Sequence, residues 1–274
     1  MTVTGLCDLA GMSRANYYKG HTRRQKQALD AEPILEMVQQ ERQVQPRLGT
    51  RKLQVVLESE LAAAGVQIGR DRLFDLLREH GLLVPPIKGA PQTTNSRHSL
   101  PIFRNEAKAV QTTASNQVWV ADITYLRTDE GWLYLSLIMD RHSRKIVGYH
   151  AGDSLETIGC LQALRMAQSG LPAGAHPLHH SDRGSQYCSH LYVQQLAERE
   201  LPVSMTEVDH CAENAHAERL NGILKQEYGL GSTFRSKAQG CATVTQSVHL
   251  YNTRRPHAAL GNRIPSQVHK QEAA

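Results

Sequence analysis

At 274 residues the chain has room for one large or two small domains, and 40% hydrophobic with 21% charged residues is enough apolar material for a packed core. No apolar run reaches the ~18 residues of a membrane span, and the start lacks the basic-then-apolar pattern of a signal peptide, so a cytosolic protein is expected. The five scattered cysteines contain no C-x-x-C pair, which argues against a disulfide framework and against a cysteine-rich zinc module. The net charge of +5 lies wholly in residues 1–110, with 16 Lys+Arg against 11 Asp+Glu; residues 111–274 hold 15 of each. Such an excess suits a polyanion partner, or equally a solvated helical surface with spare cations.

In chain order, residues 3–19 read as two short helices around a Gly11-Met12 turn, with Ser13 capping the second and Arg14, Asn16 and Lys19 displayed on it. This helix-turn-helix pattern is weak by itself, because an ordinary αα-hairpin has the same spacing. Next, Ile34, Leu35 and Val38 mark an amphipathic helix. In RLGTRKLQVVLESELAAAG, Thr50 caps one helix whose stripe is Leu53, Val56, Leu57 and Leu61. In IGRDRLFDLLREHGLL, Leu73, Phe74, Leu76 and Leu77 share a side and Gly81 stops the helix. Arg47, Arg51, Lys52, Arg70 and Arg72 cluster at helix starts, where backbone N–H groups also favour phosphate, and are the candidate DNA-binding cations. The expected divisions are a helix-turn-helix-like segment at 1–25, a helical DNA-binding domain at 28–84 and a Pro- and Ser/Thr-rich linker at 85–114.

After the linker, 118–126, 132–140 and 145–150 read as an antiparallel meander. A helix from Leu155, a short strand PLHHSD, a helix over 187–200, a strand LPVSM and a long helix over 213–229 follow. The order βββαβαβα predicts an α/β core with a mixed sheet. Asp122 lies in the most apolar of these strands, among Val118, Val120, Thr124 and Leu126 on its face. A carboxylate there is costly unless it pairs with a cation or a metal. Asp182 follows a strand end, where α/β sheets build their sites, although Asp before Arg-Gly is also ordinary turn chemistry. Asn214, Glu218 and Lys225 share one face of the closing helix at i, i+4 and i+11, with Ala217, Leu220 and Leu224 turned to the core. Hard carboxylate oxygens converging from separate elements suit Mg²⁺ or Mn²⁺, and two such ions serve phosphodiester chemistry. His179, His180, Cys188, His210, Cys211 and His216 supply softer ligands, but without regular spacing they read as polar partners or DNA contacts.

Fifty-nine residues separate Asp122 from Asp182, and 35 separate Asp182 from Glu218. This resembles the D,D(35)E signature of the transposase and retroviral-integrase superfamily. The words W-V-A-D-I-T-Y, D-R-H-S-R-K-I-V-G-Y, H-H-S-D-R-G-S-Q-Y, E-N-A-H-A-E-R-L-N-G-I-L-K-Q-E and Y-N-T-R-R-P-H resemble the second-frame product of the IS-three family of bacterial insertion sequences. The likeness covers about residues 115–265. It implies a ribonuclease-H-like integrase core at 115–230 with a mixed five-stranded sheet and a C-terminal extension at 231–274, behind a small all-α helix-turn-helix region. Asp122, Asp182 and Glu218 would be catalytic and hold two Mg²⁺ or Mn²⁺ ions. Lys225 would contact the DNA end, its position about 10 Å beyond Glu218 along the helix keeping its ammonium from the metals. Asn214 would support the catalytic helix or touch DNA. The implied activity is DNA transposition: binding of terminal inverted repeats, strand cleavage, and transfer into target DNA by a homo-oligomer in the bacterial cytoplasm at the nucleoid. Partnership with a first-frame product, by frameshift fusion, is a family habit. The competing reading is a non-catalytic DNA-binding regulator or an inactive transposase remnant. A ribonuclease H would have no use for the basic helical block or the Tyr251–His257 segment.

Overall fold

The computed structural model describes residues 2–20, 31–85, 100–207 and 214–271. The chain forms two compact units, Met1–Val84 and Pro85–Ala274. The expected boundary between residues 25 and 28 and the linker stretch 86–99 lie outside the described residues.

In the first unit, α1 (Val3–Leu9) begins where the Thr2 hydroxyl accepts from the Gly5 N–H, and α2 (14–20) begins where Ser13 accepts from Asn16 at 3.2 Å. Gly11 between them takes a left-handed φ of 59°, which a side chain would disfavour. Four further helices follow: α3 (Ala31–Val44), α4 (Thr50–Val56), α5 (Glu58–Ala63) and α6 (Arg70–Glu79). They bury one cluster that includes Ile34, Val38, Leu48, Leu53, Leu57, Leu61, Leu73, Leu76 and Leu77. Each such leucine contributes about 1.5–3 kcal/mol by leaving water.

The helical unit differs from the sequence pattern at three points. Gly49, not Thr50, is the N-cap of α4, and it makes no side-chain cap bond. The single helix expected after it bends at Leu57, yet Leu57 N–H still bonds Leu53 O and Leu61 N–H still bonds Leu57 O, so the buried stripe continues. Phe74 is 38% exposed, with the Arg78 guanidinium 4.7 Å from its ring centre. It sits one residue off the Leu73–Leu76–Leu77 stripe. Gly81, with φ 66°, closes α6 by letting Leu82 N–H return to Leu77 O.

The second unit is built on a mixed sheet. Strands β1 (Val118–Thr128), β2 (Gly131–Asp140) and β3 (Ile146–Gly152) form the antiparallel meander, and β4 (Leu178–Ser181) and β5 (Val203–Met205) extend it in parallel, in the order β3-β2-β1-β4-β5. The helices are α7 (Thr157–Ser169), α8 (Ser185–Cys188), α9 (His190–Ala197), α10 (Ala215–Glu227), α11 (Lys237–Thr253) and α12 (Pro265–Gln271). Period-2 alternation gives β1 two faces. Val118, Val120 and Leu126 join Leu220, Ile223 and Leu224 of α10 and Val244 and Tyr251 of α11. Trp119 and Ala121 join Leu161 and Leu164 of α7 and Tyr192 of α9. A Cβ at Gly148 would stand 2.1 Å from Ala163 O, so glycine there lets α7 lie on β3.

Residues 100–114 are not a linker. Ala107 is buried, its N–H bonds the Ser204 hydroxyl, and Met205 N–H bonds Arg104 O, so this stretch packs on the β5 side of the sheet. The helix expected over 187–200 is broken at Ser189, whose hydroxyl caps α9 by accepting from Tyr192 N–H. A sixth short strand, β6 (Thr233–Phe234), pairs in parallel with Arg127 and Thr128 of β1. It is too short to carry a period.

Candidate active site

Strand β1 pairs with β4 only at Val118–Val120 and with β6 only at Arg127–Thr128. Between them, residues 121–126 are laddered to β2 alone among the described strands. Asp122 stands at this gap. Its carboxylate is next to α10, where Asn221 Nδ2 donates to Asp122 Oδ2 at 2.6 Å. Asn214 is the N-cap residue of α10 but makes no capping bond. It is 4% exposed, and its Nδ2 donates to Ala121 O at 3.1 Å. This bond ties the start of α10 to β1.

Asp182 follows β4 directly, and its Oδ1 accepts the Gly184 N–H at 2.9 Å. A Cβ on Gly184 would come within 3.0 Å of that oxygen, so glycine permits this tight turn. Arg183 Nε bonds Thr206 O at 2.5 Å and ties the turn to the end of β5. Glu218 lies exposed in the first turn of α10.

Burial, then the Asp182 charge, raise the Asp122 carboxyl from 3.8 to about 8; Glu218 adds a smaller push, while the Ile123 N–H and Lys225 oppose it. The Asp122 residue as a whole is half-buried. Asp182 and, more weakly, Glu218 thus repel the Asp122 carboxylate at the gap. Among the described residues no three Asp, Glu, His or Cys side chains stand close enough to share one ion. Residues 208–213, just before α10, lie outside the described residues.

Lys225 is half-buried, burial lowers its pKa, and the Asp122 charge offsets part of that loss. A helical side chain leans toward the N-terminus of its helix, so the long lysine recovers part of the 10 Å that Cα spacing suggests. Asn221 was missed by sequence reasoning. It completes the stripe 214, 218, 221, 225 at i, i+4, i+7 and i+11, but a search for charged groups passes over an amide.

The other candidate groups sit as follows. His179 Nε2 pairs with the Tyr192 hydroxyl at 2.9 Å, and burial, helped by His180, lowers its pKa to about 3. His180 Nδ1 pairs with the Ser204 hydroxyl at 2.9 Å. His210 and Cys211 lie outside the described residues. In the helical unit, Arg51, Lys52 and Arg70 line one cavity of about 430 Å³ with Phe74. Arg70 also bonds Asp71 at 2.8 Å, and Arg72 turns to Glu79 at 3.5 Å. Arg47 does not line that cavity.

A mixed sheet whose central strand carries one carboxylate, whose neighbouring strand end carries a second and whose covering helix carries a third is the ribonuclease-H-like integrase core. Models of the integrase core domain match residues 112–211 and 199–265. A chain of the cryo-EM structure of the simian T-cell lymphotropic virus intasome in complex with PP2A regulatory subunit B56 gamma is similar in fold. Its TM-score is 0.50 at 14% identity, over 81% of this chain and 70% of that one. An insertion element IS600 uncharacterized 31 kDa protein of Shigella sonnei is 36% identical over 95% of this chain and 96% of its own length. Transposase InsF for insertion sequence IS3A of Escherichia coli is 33% identical over 80% of this chain and 76% of its own. The chain belongs to the IS-three family of insertion-sequence transposases, and is a DNA transposase of the polynucleotidyl transferase type.

Proposed function

We propose that Asp122, Asp182 and Glu218 form the catalytic centre of this transposase, cutting DNA at the ends of an insertion sequence and joining those ends to target DNA. The carrying observation is the Asp122 carboxyl, raised to about 8 by burial and by Asp182 at a gap in the sheet. Carboxylates held together at such a cost are the donor set a hard divalent cation requires. Integrase cores are divalent-metal-dependent, and Asp122 and Asp182, with Glu218 brought in from α10, would hold Mg²⁺ or Mn²⁺, two ions in the full site. When bound, such ions activate an attacking oxygen and offset the charge on the leaving oxygen.

The chain's own residues do the rest. Asn221 fixes the orientation of the Asp122 carboxylate, and Gly184 lets the Asp182 turn close. In the first reaction water attacks phosphorus, the bond to the 3′-oxygen breaks, and a 3′-hydroxyl and a 5′-phosphate result. In the second, that 3′-hydroxyl attacks a target phosphodiester and a new 3′-hydroxyl leaves. Lys225, half-buried beside Asp122, supplies positive charge where a DNA phosphate enters. Arg51, Lys52 and Arg70 in the helical unit, with Arg47 and Arg72 nearby in sequence, would grip the terminal inverted repeats. We place the protein in the bacterial cytoplasm on nucleoid DNA, acting as a homo-oligomer and, by family habit, with a first-frame product. No helix among the described residues is long and apolar enough to cross a membrane.

The test is incubation with DNA flanking its own gene plus Mg²⁺, followed by mapping of nicks. Cuts at the element's 3′ ends are expected; binding without any cut under Mg²⁺ or Mn²⁺ would reject the catalytic assignment.

A further inference from the structure

Two sequence motifs, D-R-H-S-R and Y-N-T-R-R-P-H, take no part in the carboxylate site, yet the fold brings their neighbourhoods together. The turn after β2 and the loop after α11 wall a cavity of about 520 Å³, lined by Thr112, Arg141, His142, Arg144, Gly261 and Arg263 together with Ala259 and Leu260. Among the described residues no Asp or Glu lines it. The carboxylate next in sequence, Asp140, is fully buried and commits its oxygens to the N–H groups of Asn116 and Ser143 and to the Ser143 hydroxyl.

The three guanidinium groups are held in place and only partly used. Arg141 donates to Ala107 O at 2.8 Å and to Val110 O. Arg144 adopts a left-handed φ of 63°, fixed by its N–H bond to Asp140 O at 2.9 Å. Its Nη1 donates to His216 Nδ1 at 2.6 Å, while its Nε is buried with no acceptor among the described residues. Arg263 donates through Nε to Leu260 O at 3.1 Å, which leaves its terminal nitrogens to the solvent side. Fixed guanidinium forks without a facing carboxylate match the oxygens of a phosphate, which accepts charge-assisted bonds from two or three of them. A buried donor without a partner is costly until an anion arrives.

We propose that this cavity binds a backbone phosphate of the DNA on which the transposase acts, a contact separate from the carboxylate centre. It is coupled to that centre through His216, which lies in the first turn of α10 two residues before Glu218. The inference rests on the transposase reading, because only a DNA substrate gives the cavity its phosphate. DNA is favoured over a small anion because Arg144, which lines the cavity, bonds His216 on the helix that carries Glu218.

The experiment uses the full chain in metal-free buffer, with a duplex carrying its own terminal sequence and a set of duplexes each bearing one neutral methylphosphonate. Arg263→Ala combined with Arg144→Lys should weaken binding about tenfold and lower the salt slope by about 1. One methylphosphonate position should weaken the wild-type protein by the same factor and leave the double variant unchanged. If Arg144→Lys does not fold, Arg263→Ala alone carries the same comparison with a smaller loss. Folded variants that bind every duplex like wild type would overturn the proposal. So would stabilisation of the wild type by inorganic phosphate with DNA binding indifferent to both variants, or a lost dimer with normal DNA binding. Failure of the carboxylate reading shows separately, as normal cutting by Asp122→Asn, whatever the methylphosphonate pattern.

Discussion

In the Met1–Val84 unit, Arg70 and Arg72 lie on the surface and pair directly with the exposed carboxylates of Asp71 and Glu79. In the Pro85–Ala274 unit, Arg255 is 2% exposed and grips both carboxylate oxygens of Glu227 at 2.8 and 2.9 Å, with its guanidinium 5.6 Å from the Tyr251 ring centre. The first kind of arginine adds to a field that a polyanion feels; the second fastens the Y-N-T-R-R-P-H segment to the end of α10. By count, residues 1–110 carry all the excess charge and residues 111–274 carry none. Yet the cavity walled by Arg141, Arg144 and Arg263 belongs to the neutral part. Net charge sums over groups whose counter-charges are already engaged, and so says little about where a phosphate would find available donors.

The largest effect is expected at the three acids of the gap in the sheet. Asp122→Asn, Asp182→Asn and Glu218→Gln should each lower strand cleavage by on the order of a thousandfold while sparing DNA binding, as read by nicking and by gel shift on the same preparations. Near-normal cutting by any one removes that residue from the centre.

Next in size is the buried ion pair. Arg255→Ala should destabilise the fold by roughly 3–5 kcal/mol in denaturant unfolding, because it strands Glu227, and a paired apolar replacement of both should recover most of the loss. Arg70→Ala, whose partner is exposed, should leave the melting temperature unchanged. Equal losses at the two sites would erase the distinction.

Charge reversal in the helical unit sharpens the other half of the comparison. Arg51→Glu with Lys52→Glu and Arg70→Glu should weaken DNA binding at low salt and reduce the salt slope by roughly one unit for each phosphate no longer neutralised. Unaltered binding would make the cluster a solvated surface only.

A smaller effect is expected from pH. Asp122 holds its proton more tightly folded, at about 8, than its ordinary 3.8. The stability this contributes is therefore present in acid and lost as pH rises from about 4 to about 8. In metal-free buffer the melting temperature should fall over that range, Asp122→Asn should flatten the fall, and Mg²⁺ at the alkaline end should restore stability only to the protein with Asp122. A flat wild-type profile would mean that the acids do not repel one another.

The smallest effect belongs to Lys225. Lys225→Ala should lower cutting at limiting DNA, with partial recovery at high DNA, and Lys225→Arg should keep more activity. Unchanged end affinity and unchanged cutting would leave it a solvated lysine.

Local pattern alone determined much of this protein. Alternation and turn residues located β1 to β3 within two residues, Ser13 and Gly81 marked real helix ends, and the spacing of Asp122, Asp182 and Glu218 pointed to the family. These are legible because they depend on contacts within a few residues, or on residue types that chemistry seldom tolerates elsewhere. Tertiary structure alone decided the rest. The gap on β1 exists because β4 and β6 pair with separate ends of it, and no periodicity in 118–128 records that. Asn221 became a partner of Asp122, Lys225 came within its field, and residues 100–114 turned from linker to packing against β5, because each depends on a chain segment about 90 or more residues away. Long-range pairing is chosen by whichever arrangement buries the sheet and satisfies its edge, and that choice is written in no single stretch of sequence.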